Sequence, residues 1–115
     1  MPGATESPAI VRYEGSSPGT DIWGYTQANF LVAIPGRNSK ESAILMNEPA
    51  GKFLAAELGL ADSTETRDAL ARALGEAWFP TLVERGGDVE SIVTVSRGFL
   101  DNHPEVIEAV RKALA

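Results

Sequence analysis

The chain reads as an α+β protein, a two-layer sandwich. A mostly antiparallel, mixed sheet of about four strands carries helices on one face, in the order β-β-β-α-α-β-α. Three observations predict it. Stretches rich in β-branched and aromatic residues crowd residues 8–47, as strands require. Helical spacing and capping signals take over from Asn47 onward. A last apolar run, Ile92-Val93-Thr94-Val95, stands between two helical stretches, so it reaches the sheet only after a helical crossover, and such a crossover makes the sheet mixed.

Residues 1–7 are small and polar, with Pro2 and Gly3, and are expected to form a disordered tail ahead of one domain over 8–115. Residues 8–13 (Pro-Ala-Ile-Val-Arg-Tyr) suit a first strand, after which Gly15-Ser16-Ser17-Pro18-Gly19 predicts a loop. Residues 21–34 read as a longer strand, bent or bulged at Gly24. Ala28, Phe30, Val32 and Ile34 share one of its faces, and Asn29, Leu31 and Ala33 the other. Residues 35–40 form a turn by composition, and residues 42–47 return antiparallel, giving a hairpin with Arg37 and Lys40 at its tip.

Asn47-Glu48-Pro49 predicts a helix start, with Phe53, Leu54 and Leu58 as its buried stripe and Gly59 as its stop. Asp62-Ser63-Thr64-Glu65 matches a capping box, opening a helix whose Leu70, Leu74, Ala77, Trp78 and Leu82 recur at helical spacing. Pro80 lacks an N–H donor and disfavours helical geometry at Phe79, so a kink or a break is expected there, with the end at Gly86-Gly87. The last strand exits through Ser96-Arg97-Gly98, and Asn102-His103-Pro104-Glu105 opens a final helix with an apolar stripe of Val106, Ile107, Val110, Ala113 and Leu114.

Composition narrows the function classes. At 115 residues the chain fits one domain, and 43% hydrophobic content is enough for a core. The absence of cysteine rules out disulfides, thiolate zinc sites and cysteine nucleophiles, and fits a cytoplasmic protein. A net charge of −6 with scattered Lys and Arg argues against nucleic acid as a partner. No signal-peptide pattern opens the chain, and no apolar run approaches the roughly 20 residues of a membrane span.

Site candidates gather where the last strand ends. Ser96, Arg97, Gly98 and His103 form the expected ligand-binding set, for a small anionic ligand. Arg97 offers a planar charged fork, Gly98 admits close backbone approach, and the N–H groups at a helix start favour anions. His103 is the only histidine, so histidine acid–base chemistry would run through it. An exposed capping histidine is the plainer reading. Neither Asp88 with Glu90 nor Asp101 with His103 and Glu105 matches a metal-binding pattern, so neither a metal nor a cofactor is expected. The surplus of apolar stripes predicts instead a binding module that forms a homo-oligomer, a homodimer joined at Trp78 and Phe79 or along Val106, Val110 and Leu114.

Overall fold

The computed structural model describes residues 10–16, 25–34, 36, 38–85 and 89–114. Its elements are β1 (Ile10–Ser16), β2 (Thr26–Ala33), β3 (Lys40–Met46), α1 (Glu48–Leu58), α2 (Thr64–Glu84), β4 (Ile92–Val95), α3 (Arg97–Asn102) and α4 (Pro104–Leu114). The four strands form one sheet in chain order. β1, β2 and β3 pair antiparallel, while β4 runs parallel to β3 because two helices intervene between them. This is the α+β arrangement and element order that the sequence predicts. The final helical stretch, however, is two helices meeting at His103. The tail, Gly24, Arg37 and Gly86-Gly87 lie outside the described residues.

Side-chain alternation gives the sheet a buried and an open face. Ala28, Phe30 and Val32 of β2 pair with Ile44, Ser42 and Lys40 of β3, and the apolar members of these pairs are buried. Met46, Val93 and Val95 continue the same face. α2 lies across β1, β2 and β3, α4 covers α2, and α1 and α3 close the end near β4. Gly75 makes the closest approach: a Cβ there would overlap the Phe30 ring, so only glycine lets α2 sit this near β2. Phe30 also meets Phe79 at 5.4 Å and Tyr13 at 5.6 Å between ring centroids.

Several boundaries differ from the sequence reading. β1 does not end at Tyr13. It bulges, leaving Glu14 unpaired between Tyr13 and Gly15, and pairing resumes because Gly15 takes φ 108°. Lys40, read as a turn residue, already pairs with Val32. In α1, Asn47 caps Ala50 N at 2.9 Å and Gly59 ends the helix with φ 70°, as expected. Its buried stripe is Ala50, Gly51, Leu54 and Ala55, with Phe53 and Leu58 only half-buried. Ser63, not Asp62, caps α2 by accepting from Thr66 N at 3.1 Å. Asp62 instead takes both ends of the Arg67 fork, at 2.9 and 3.1 Å.

Pro80 does not break α2, which continues to Glu84. Trp78 and Phe79 are locked into the core just before it. Just after it, the Thr81 hydroxyl donates to Ala77 O at 3.0 Å, adding a bond beside the one that proline cannot make. Among the described residues, no helix is long and apolar enough to cross a membrane.

Candidate functional site

At the exit of β4 the extended backbone of Ser96 gives way to α3, and the Ser96 hydroxyl accepts from Phe99 N at 3.1 Å. This oxygen is therefore committed to capping. Arg97 follows, with its guanidinium carbon 3.9 Å from the centroid of the Phe53 ring. That cation–π contact ties α3 to α1. Gly98 is exposed in helical backbone, where a Cβ would meet nothing closer than Ser96 Oγ at 3.7 Å.

His103 sits at the other end of α3, about one and a half turns away. Its N–H bonds Leu100 O at 3.2 Å while its carbonyl accepts from Val106 N at 2.9 Å, so it closes one helix and opens the next. Asn102 is consequently the last residue of α3 rather than the start of the following helix, which corrects the helix start expected there. The imidazole packs against Trp78 at 4.8 Å and Phe99 at 4.7 Å, with Nδ1 3.4 Å from Glu105 Oε2. Glu105 turns onto its own backbone N–H, and this bond, assisted by His103, holds its carboxyl below the usual carboxylate range. Ser96, Arg97 and Gly98 thus share the first turn of a short helix while His103 ends it, and Arg97 is engaged with an aromatic ring.

The expected interface residues are placed mostly inside the chain. Phe79 and Val110 are fully buried, Val106 is 3% exposed and Trp78 7%, because α4 lays its stripe on α2. Leu114, at 39%, remains at the surface, where with Leu58, Leu60 and Arg111 it lines a recess of about 190 Å³.

The second face of the sheet carries no helix among the described residues, with Leu31, Ala33 and Leu45 half-buried and Ala43 buried on it. Leu31, Ala33, Leu45, Ile92 and Ile10 lie on it by alternation, interspersed with Arg12, Glu41, Asn29, Gln27 and Thr94. Ile10 is 69% exposed and Ile92 56%. A shallow cleft of about 220 Å³ crosses this face between Glu14, Asn29, Glu41 and Ser91. Beneath it, Ser42 Oγ is buried with no hydrogen-bond partner among the described residues, facing the apolar core side. Among the described residues, no three His, Asp or Glu side chains converge as metal ligands. The open face was missed as a site, although a signal for it exists. β2 carries Leu31 and Ala33 opposite Ala28, Phe30 and Val32, so it is apolar on both sides in a sheet whose helices cover one.

Comparison with known protein families, with curated proteins and with solved structures finds no match.

Proposed function

We propose that this domain acts by binding, through protein–protein association, and performs no chemistry of its own. The observation that carries the reading is the open face of the sheet. Leu31, Ala33, Leu45 and Ile92 lie there, and among the described residues no helix covers them. Contiguous apolar surface of this kind marks interaction sites more often than a monomer's ordinary exterior does. The groups with chemical potential point the same way by their engagements: Ser96 caps a helix, Arg97 lies on Phe53, and His103 is packed between Trp78 and Phe99.

Light scattering from low to high micromolar concentration, paired with native mass spectrometry, tests the reading. The expected result is a species heavier than the 12.2 kDa chain with no small molecule retained. A strict monomer carrying one equivalent of a small anion overturns it, and moves attention to Ser96, Arg97 and His103.

A further inference from the structure

We infer that the occupant of the open sheet face is a second copy of this chain, stacked face to face about a two-fold axis that runs along β2 at Leu31. The inference rests on the reading of the domain as an association module. Strand register places Arg12 of β1, Leu31 of β2 and Glu41 of β3 in one row, with Leu31 in the middle. Arg12 and Glu41 are both exposed.

A two-fold contact uses the same patch on both partners, so the patch must complement itself. A row that reads cation, apolar, anion does so under one rotation. Turning a second copy about an axis parallel to β2 lays its β3 over the first copy's β1. Leu31 then meets Leu31, and each Arg12 meets the other copy's Glu41, giving two ion pairs around an apolar centre. Aligned stacking of two sheets is an ordinary packing mode.

Within one chain the pair is not made: Arg12 and Glu41 stand two strand spacings apart, roughly 10 Å, and Arg12 contacts Glu14 instead. Glu41 makes no ion pair among the described residues. Arg12 does touch Glu14, at 3.2 Å, in a solvated contact that is weak for that reason. Its guanidinium keeps donors for a second carboxylate. Ala33 and Leu45, both half-buried, extend the apolar surface along β2 and β3, with Ile10 on the outer strand β1, while Ile92 on β4 lies beyond the overlap. With the axis on β2 only β1, β2 and β3 of each copy overlap, about 14 Å across, so the face is at the small end of specific interfaces, and dissociation in the micromolar range is expected.

Sedimentation velocity on the full chain tests this with Arg12→Glu, Glu41→Arg and the double variant R12E/E41R, each first checked for fold by circular dichroism. The expected result is a wild-type dimer that either single reversal weakens at least about tenfold, and that the double reversal restores. Since the chain has no cysteine, Leu31→Cys supplies a second measurement that does not depend on the charged variants folding. Its thiols at the axis stand about one sheet spacing, roughly 10 Å, apart, so a short bis-maleimide should join two copies there, and those of Thr94→Cys, out on β4, should not be joined. A dimer indifferent to both reversals, or cross-linked equally at either position, overturns the inference while leaving the association reading standing. A chain that stays monomeric at several hundred micromolar also overturns it, and if that monomer carries a small anion the association reading falls too.

Discussion

Gly75 shows how much one residue decides here. Alanine is the better helix former by up to about 1 kcal/mol, so on propensity alone Gly75→Ala should stabilise α2. The added methyl would instead overlap the Phe30 ring, which is 1% exposed and held between Tyr13 and Phe79. Overpacking of this kind costs about 1–3 kcal/mol, more than the propensity gain. Gly75→Ala is therefore expected to lower the urea midpoint, and Phe30→Leu in the same chain to give part of that loss back. An unchanged midpoint would mean that α2 stands farther from β2. Asp62 sets a second expectation. The Arg67 fork holds its carboxyl below the ordinary value of 3.8. A depressed folded pKa stabilises the protein above the unfolded value, and that contribution disappears as pH falls through the folded one. Stability should thus be flat near neutrality and decline below about pH 4, less steeply in Asp62→Asn. Identical acid slopes for the two proteins would rule out this pair as a contributor.

At the scale of elements, α2 sets a propensity against tertiary packing. Pro80 leaves Glu76 O without its helical donor, yet the helix runs on, because Trp78 and Phe79 immediately before it are buried. Pro80→Ala should consequently raise stability by about 1–3 kcal/mol, read as a higher denaturant midpoint with an unchanged slope. A loss of stability would show that the half-buried proline ring matters more to packing than the missing bond matters to the helix. The same balance explains what was legible in the sequence. Alternation in β2 put Ala28, Phe30 and Val32 on the buried face, and Asn47, Gly59 and the Leu70-Leu74 spacing marked helices that exist, since caps and periodicity act locally. The bulge at Glu14 and the unbroken Pro80 were not legible, because each is decided by a neighbour distant in sequence. α3 escaped notice for a different reason. At six residues it is too short to show a period, and its cap, Ser96, reads equally well as the end of a strand. The site candidates were legible as residues but not as a constellation: their spacing could not show that Arg97 would lie on Phe53 or His103 against Trp78.

For the whole molecule, net charge and the proposed face act against each other, and salt separates them. Each copy carries −6, so two copies repel over a range set by the Debye length. That length falls from about 30 Å at 0.01 M salt to about 10 Å at 0.1 M. Repulsion between whole chains, acting over distances comparable to a domain, is mostly removed across this interval. The two Arg12–Glu41 contacts proposed at the centre act at a few ångströms between facing sheets, where water and ions are partly excluded, so they lose much less. Apolar contact at Leu31 and Ala33 is not weakened by moderate salt. Dimerisation should therefore tighten by roughly tenfold between 0.01 and 0.1 M salt, and then level off once the long-range repulsion is gone. Sedimentation equilibrium across the series measures this directly. The R12E/E41R variant keeps the same net charge and should follow the same curve, whereas Arg12→Glu, at −8, should start weaker and gain more from salt. Association that weakens steadily with salt would mean that charge attraction holds the copies together, and the apolar sheet face would then not be the contact.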